Sequence, residues 1–252
     1  MNNTDLKRRF PIGDFEFPQS VTIQDIPAHL ESIESLPGKV SDLCLGLPDE
    51  HYGNKYRKGS WNVRQLLFHI TDSHSHSYLR FKWTLTENTP LIKAYNEQDW
   101  AILQDGLNAP ICEILDEIKV IQRRLGRVIR SLSEADLHKS FIHSETNKSI
   151  SLGQLVAMYS WHGNHHLEHL RLAVNDPVED YVPIDCNFYD VLVMHTMKKS
   201  PLQVHDPTTE IATKSIKDIF TKEKEEFLLM DDGTVIRLDQ VVSLKEGILS
   251  LR

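Results

Sequence analysis

Cysteine is scarce in this sequence. Its 252 residues contain three widely spaced cysteines, Cys44, Cys112 and Cys186. An odd number of isolated cysteines argues against the disulfide framework of a small secreted protein and is typical of a reducing compartment. We therefore expect a cytoplasmic location.

Long apolar segments are also missing. No apolar run approaches the ~20 residues that a membrane-spanning helix needs. The N-terminal stretch MNNTDLKRRFPIGDFEFP has no apolar core of the kind that secretory signals contain. We expect neither a membrane anchor nor a membrane partner.

Positive charge is in short supply. The chain has 28 Lys and Arg residues against 36 Asp and Glu residues, which gives a formal net charge of -8. The one basic stretch, LKRRF near the N-terminus, is too short to change this balance. Because binding along a phosphate backbone depends on clustered cations, the composition argues against a nucleic-acid partner. The hydrophobic content of 40% is ordinary for a globular protein.

Helical patterns dominate the first 176 residues. Four long helices are predicted, from about Ile26 to Gly46, Ser60 to Glu87, Pro110 to Leu132, and Ser151 to Val174. Pro37 and Gly38 predict a kink or a restart in the first helix. Ser60 is the expected N-cap of the second helix, and Ser151 with Gln154 has capping-box spacing before the fourth. Residues 1–176 are therefore expected to form an antiparallel four-helix bundle with a long crossover, and SFIHSETNKSIS a β-hairpin.

The pattern changes after residue 176. One short helix, Asn187–Met197, is followed by segments rich in β-forming residues. In the stretch EEFLLMDDGTVIRLDQVVSL, Asp232 and Gly233 stand between two such segments and predict a hairpin turn. We therefore expect a second, small and mostly β domain at residues 177–252.

Histidine, by contrast, is concentrated. Four of the 13 histidines lie in the stretch SWHGNHHLEHL of the fourth predicted helix. A helical projection places His162 and His166 on the apolar stripe that should face the core, and His165 and His169 at its edge. Two imidazoles four residues apart on one face can bind one metal ion. The alternative is a solvated helix surface that is simply rich in histidine.

His69 is the candidate for a third ligand. It lies at the centre of a polar stripe on the second helix that also contains Ser73, His76 and Arg80. The stripe has two interpretations: it faces water, or it lines a polar cavity inside the bundle opposite the fourth helix. Only the second interpretation brings His69 to the histidine pair and leaves a position on the ion open for water or substrate.

Two separated segments resemble a known family. GSWNVRQLLFHITDSHSHSYLRFKWTLTENTP and SLGQLVAMYSWHGNHHLEHL, with FPIGDF and YRKGSW, resemble the YfiT-like branch of the DinB superfamily over about residues 8–174. Members of this branch are four-helix metalloproteins described as metal-dependent hydrolases and as bacillithiol S-transferases. The resemblance implies that His69, His162 and His166 bind a Zn or Ni ion. His76 departs from the family pattern, in which a small amide residue such as asparagine is expected there.

The C-terminal region resembles a second family. YVPIDCNFYDVL followed by RLDQVVSL is similar to Rof, the Rho-binding antiterminator, over about residues 181–244. This resemblance implies a short helix and an Sm-like β-barrel. The helix Asn187–Met197 would then contact a protein partner, although Sm-like barrels serve many functions.

The sequence favours a metal-dependent enzyme, a transferase or a hydrolase. An ion held by three histidines would activate a low-molecular-weight thiol for transfer to an electrophile, or a water for hydrolysis. On the resemblance, a bacillithiol-type thiol S-transferase is the first hypothesis and hydrolysis of an amide or ester bond the second. A non-enzymatic regulatory protein that acts through the Rof-like domain is the third.

Three further residues are candidates for catalysis. Arg80 would hold a carboxylate of the thiol or substrate, and Asp72 or His76 would orient a ligand or take a proton. The expected partners are a small-molecule substrate, a protein at the C-terminal domain and a second copy of the chain in a homodimer.

Overall fold

The computed structural model describes residues 3–179, 181–198, 201–205, 212–241, 243–246 and 249–250. The contacts divide the chain into two compact units, Met1–Glu179 and Asp180–Arg252. Each unit has apolar clusters of its own. Among the described residues, no helix is both long enough and apolar enough to cross a membrane.

Helices build the first unit. In the described chain they are α1 (Asn3–Arg9), α2 (Ile26–Cys44), α3 (Val63–Thr86), α4 (Glu97–Trp100), α5 (Gln104–Asn108), α6 (Ile111–Arg130), α7 (Glu134–Leu137) and α8 (Leu152–Asn175). The four long helices are α2, α3, α6 and α8. Both α2 and α3 pack against α6 and against α8, so α2 and α3 lie across the bundle from each other. The predicted helical bundle is confirmed.

The N-cap of α3 differs from the sequence prediction. The side-chain oxygen of Asn62 accepts a hydrogen bond from the backbone N–H of Gln65, and the Gln65 side chain accepts one from the N–H of Asn62. The prediction that Ser60 caps this helix is wrong, since its hydroxyl donates to the carbonyl of Trp61 at 3.0 Å. Asn62 takes the position because a glutamine stands three residues later, which makes the cap reciprocal.

Helix α2 continues through Pro37. The sequence predicts a kink or a restart there, but one helix runs over Ile26–Cys44, so the restart is wrong. A proline removes one backbone hydrogen bond from a helix interior. Ile33, Leu36 and Val40 on either side of it are at most 1% exposed, and their burial offsets that loss.

A small sheet leads into α8. Its strands are β1 (Leu91–Ile92), β2 (Ser140–His143) and β3 (Ser149–Ser151), in the order β1-β2-β3. The antiparallel pair β2 and β3 confirms the predicted hairpin, and β1 joins it in parallel. Ser151 then forms the predicted capping box with Gln154. The fourth long helix therefore begins where the sequence places it.

A polar layer divides the core of the bundle. One apolar cluster surrounds Phe81, and another surrounds Leu67. Between them, α3, α6 and α8 contribute the polar layer, which consists of His69, Ser73, His74, Ser77, Gln122, His162 and His166. His69, Ser73 and Arg80 of the α3 stripe are 9%, 6% and 6% exposed, so this part of the stripe faces the interior and not water.

The second unit combines one helix with an antiparallel sheet. Its elements are α9 (Cys186–Lys198), β4 (Pro201–His205), β5 (Ala212–Lys222), β6 (Glu225–Met230), β7 (Val235–Arg237), β8 (Ser243–Glu246) and β9 (Leu249–Ser250). In the described part the strand order is β7-β6-β5-β4-β8-β9, and β5, β6 and β7 follow one another as an antiparallel meander. Leu192 of α9 is fully buried in a cluster with Leu228. The predicted short helix and hairpin are present, and closure into an Sm-like barrel stays a prediction.

Candidate metal centre

Three imidazoles from two helices converge in the polar layer. His69 of α3 and His162 and His166 of α8 each offer a ring nitrogen, and these nitrogens all lie within 4.8 Å of one another. The Nε2 atoms of His69 and His162 are 3.2 Å apart, and the rings of His162 and His166 are 4.5 Å apart. We call these residues the histidine trio. They are the three residues that the sequence predicts as ligands.

The spacing of the trio suits a small divalent ion. Two Zn–N bonds of ~2.0–2.1 Å at a tetrahedral angle hold their nitrogens about 3.3 Å apart. The 3.2 Å between the Nε2 atoms of His69 and His162 is close to this value. Among the described residues the cluster contains no carboxylate, so its donors are three imidazole nitrogens, a set that suits zinc, nickel, copper and iron.

Burial keeps the trio uncharged. Desolvation lowers the pKa of His69 to about 3 and holds the pKa values of His162 and His166 well below the ordinary value. Proximity to the other histidines lowers all three further. The neutral imidazole is the form that binds a metal ion, so all three side chains are available as ligands at neutral pH.

A polar path leads from the trio to Arg80. The hydroxyl of Ser73 lies 3.4 Å from Nε2 of His162 and 3.4 Å from the hydroxyl of Tyr159. Arg80 donates from Nη1 to the same Tyr159 oxygen at 3.3 Å, and its buried Nε has no partner in the part of the chain that the structure describes. A buried guanidinium with unused donors is costly unless an anion binds to it.

His76 lies apart from the trio. Its ring stacks on Tyr95 with centroids 4.2 Å apart, and its Nδ1 donates to the backbone carbonyl of Asp72 at 3.0 Å. It lines a cavity of about 340 Å³ together with Trp83 and Trp100. His76 is therefore not among the described groups that can hold one ion with the trio.

Asp72 faces a different surface. Its side chain lines a wide cavity of about 710 Å³ that also contains Asp105 and Glu117. Burial raises the pKa of Asp72 to about 6, and the two neighbouring carboxylates add to the shift. The structure brings neither Asp72 nor His76 into hydrogen-bond contact with the trio.

Two residues of the site are not among those predicted from the sequence. His74 is fully buried, with its Nε2 3.2 Å from Nδ1 of His162, and the side-chain amide of Gln122 lies 2.6 Å from its other ring nitrogen. His74 stands on the apolar side of α3, and Gln122 stands between Ile118 and Leu125 on α6. A buried polar residue needs a hydrogen-bond partner, so a single polar residue on an otherwise apolar stripe is the sequence feature that could have indicated His74 and Gln122.

Two more histidines border the trio. The sequence places His165 and His169 at the edge of the core stripe, and they are 7% and 2% exposed. Together with His166 they also offer nitrogens within 4.8 Å of one another. His165 stacks on Trp161 at 4.4 Å, and His169 stacks on Tyr56 at 3.9 Å. Both belong to the interior of the unit.

Known proteins are similar to the first unit of this chain. The sequence profile of the DinB superfamily matches residues 33–170, a range that includes the whole trio. A protein of Oceanobacillus iheyensis named "Putative metal-dependent hydrolase" is 38% identical over 165 residues, which are 66% of this chain and 95% of that protein. A protein of Halalkalibacterium halodurans with the same name is 36% identical over 169 residues, which are 67% of this chain and 98% of that protein.

A solved structure is similar as well. YfiT from Bacillus subtilis superposes with a TM-score of 0.64 at 31% identity, over 66% of this chain and 94% of that chain. It is described as "a probable metal-dependent hydrolase with an unusual four-helix bundle topology". By the profile match and by these relatives, the chain belongs to the DinB superfamily.

Proposed function

We propose that this protein is a metal-dependent enzyme that binds a divalent ion at His69, His162 and His166. The observation that carries the proposal is the convergence of three uncharged imidazoles at one point inside the bundle. The names of the relatives from Oceanobacillus and Halalkalibacterium support it. Zinc and nickel are the ions we propose, on the family resemblance and because imidazole suits both.

When bound, such an ion would lower the pKa of a coordinated water or thiol toward neutrality. The protein's own part is to keep the site dry and to place the reactants. Apolar clusters on both sides of the polar layer exclude water. Arg80 would offer its unused Nε donor to a carboxylate of the thiol or substrate. Asp72 and His76 would orient or deprotonate only a substrate that is long enough to reach them.

Thiol transfer is the reaction we propose first, on the resemblance to bacillithiol S-transferases. The thiolate sulfur would form a bond to an electrophilic carbon, and the leaving group would depart with the electron pair of the bond that breaks. Hydrolysis of an ester or amide is the alternative, and the names of the relatives favour it. Both reactions use the same ligands.

Conjugation of monochlorobimane with bacillithiol, cysteine and glutathione distinguishes the two reactions. We expect thiol-dependent release of chloride by the zinc- or nickel-loaded protein, and none by the metal-free protein. The variant His162→Ala should be inactive, whereas His138→Ala, which changes an exposed histidine, should be fully active. Metal-dependent cleavage of esters or amides without thiol conjugation would establish hydrolysis instead.

Elemental analysis of the purified protein tests the ligands themselves. We expect about one divalent ion per chain, and a loss of more than about tenfold in bound metal in His69→Ala and in His166→Ala. His138→Ala is the control and should retain the ion. Undiminished metal in both ligand variants would contradict the assignment.

A regulatory role through the second unit is the other candidate. Met194 and Met197 of α9 are 42% and 81% exposed, and methionine is common at surfaces that bind protein partners. On the resemblance to Rof, we propose an Sm-like barrel within residues 177–252 and a partner such as Rho. Pull-down with the full chain tests this: binding that persists in His69→Ala and disappears when both methionines are changed to Glu would support it. Binding unaffected by the methionine changes would exclude α9 as the surface.

A further inference from the structure

One hydrogen-bond chain reaches the outer nitrogen of His166. Its Nδ1 lies 3.3 Å from Nδ1 of His169, and Nε2 of His169 lies 3.1 Å from the carbonyl oxygen of Arg9. Because a carbonyl oxygen only accepts, Nε2 of His169 carries the proton and donates it. In a neutral ring Nδ1 of His169 is then an acceptor, so His166 donates from Nδ1. This leaves Nε2 of His166 with a free lone pair.

A second chain reaches the outer nitrogen of His162. Its Nδ1 lies 3.2 Å from Nε2 of His74, whose Nδ1 lies 2.6 Å from the amide of Gln122. An amide donates or accepts according to which of its ends faces the ring. The Oε1 atom of Gln122 is buried and has no partner in the described chain. The structure places Nε2 of Gln122 against His74; a half-turn of the amide exchanges it with Oε1, which then accepts from Nδ1 of His74, so that Nε2 of His74 accepts from His162.

Packing holds both intermediate histidines in place. His74 is 0% exposed and His169 is 2% exposed. The ring of Tyr56 stacks on His169 at an interplanar angle of 13°, and Tyr159 meets His74 edge-on at 85°. Arg8 donates to the carbonyl of Tyr56 at 2.8 Å, which ties α1 to the wall of the site. The Arg9 carbonyl that ends the first chain is thereby held as well.

We propose that His169 and His74 are the positioning residues of the metal centre. Each accepts the Nδ1 proton of one ligand and so presents the Nε2 lone pair of that ligand to the ion. The proposal rests on the metal centre proposed above and explains why α8 carries more histidines than a three-ligand site needs. In this assignment the 3.3 Å between the Nδ1 atoms of His166 and His169 is a hydrogen bond and not a pair of metal bonds, so His165, His166 and His169 are not the proposed ligand set.

Metal affinity, measured by competition with a chromophoric chelator for Zn²⁺, tests the first chain. His169→Leu removes the acceptor and should weaken binding about 10- to 100-fold. His169→Asn should regain most of the affinity, because its carboxamide oxygen lies near the position of Nδ1. His74→Leu and His74→Gln form the equivalent pair for the second chain.

His165→Leu is the matched control. His165 lies on the same helix and is similarly buried, but its Nδ1 has no partner among the described residues. We expect near wild-type affinity for this variant. Wild-type affinity in His169→Leu would overturn the proposal. A loss in His165→Leu equal to that in His169→Leu, with none in His69→Ala, would also overturn it and would place the ion at the second histidine group.

Imidazole ¹⁵N NMR spectroscopy of the metal-free protein tests the chain without any ion. We expect His166 to carry its proton on Nδ1 in wild type and in His165→Leu, and to lose this preference in His169→Leu. A wild-type His166 protonated on Nε2 would overturn the proposal. A wild-type protein that binds no divalent ion would refute the metal centre, and this spectrum would still decide the direction of the hydrogen-bond chain.

Discussion

Burial sets the charge of the histidines around the polar layer. Desolvation is the first cause of a lowered pKa in His69, His74, His162, His165, His166 and His169. Acidic partners contribute little, since only His165 has a carboxylate, that of Asp14, among the causes of its shift. The fold therefore holds these rings neutral by excluding water from them. Protonation of the rings lowers the free energy of unfolding.

The metal-free protein should lose stability as the pH falls below about 6.5. An unfolded histidine titrates near 6.5, whereas His74 in the fold titrates at about 4. Between these values the unfolded state binds more protons, so the free energy of unfolding rises with pH. The loss of stability due to His74 is absent above about pH 6.5 and grows progressively as the pH falls toward 4. One such group changes the free energy by about 1.4 kcal/mol per pH unit.

Urea unfolding followed by circular dichroism measures this effect. We expect a lower free energy of unfolding at about pH 5 than at about pH 7.5. In His74→Gln the free energy of unfolding should change less with pH, by the slope that about one proton contributes. Glutamine keeps a buried hydrogen-bonding group at this position but cannot titrate. Equal free energies at the two pH values in the wild type would contradict the prediction.

Spacing in the sequence predicts the three candidate ligands, but it does not predict the residues that contact them. His162 and His166 stand four residues apart on a core stripe, and His69 lies at the centre of the α3 polar stripe. His74 and Gln122, by contrast, are single polar residues on apolar stripes, and periodicity averages such residues away. Only the three-dimensional contact between α3 and α6 shows that they satisfy each other.

At the scale of helices and strands, local capping determines where the helix that carries His69 begins. Replacing Asn62 with Ala removes the side-chain oxygen that accepts from the N–H of Gln65, keeps the backbone N–H that donates to the Gln65 side chain, and should cost about 1 kcal/mol in unfolding free energy. Asn62→Asp is the control, because aspartate caps helices about as well as asparagine does. Thermal or urea unfolding measures both variants. Equal stability of Asn62→Ala and the wild type would show that the Asn62 side chain does not stabilise the first turn.

The sequence predicts where helices and strands begin and end wherever contacts between neighbouring residues determine those ends. The hairpin of β2 and β3 and the capping box at Ser151 are examples, since neighbouring residues satisfy each other there. The continuation of α2 through Pro37 was not predictable, because burial of residues on both sides of the proline decides it. The strand Leu91–Ile92 was missed for a similar reason: two residues gain a strand partner only from the distant segment Ser140–His143.

At the scale of the whole molecule, the candidate metal centre depends on distant parts of the chain. His69 comes from α3, the other two ligands come from α8, and Gln122 comes from α6. The Arg9 carbonyl of α1 lies 160 residues before its partner His169. Such a site does not exist in the unfolded chain, so an ion that binds it stabilises the folded bundle by mass action.

A Leu→Ala substitution in the core of one unit should destabilise that unit and leave the other unit unchanged. Leu192 is fully buried in the cluster of the second unit, and Leu67 is fully buried in the bundle. A Leu→Ala change at either site should cost about 2–5 kcal/mol locally. Leu192→Ala should speed hydrogen exchange in β5 and β6 and leave zinc affinity unchanged. Leu67→Ala should speed exchange in the bundle, and saturating zinc should reverse part of that effect, because the ion binds only the folded bundle. Weakened zinc binding in Leu192→Ala would instead show that the second unit supports the metal centre.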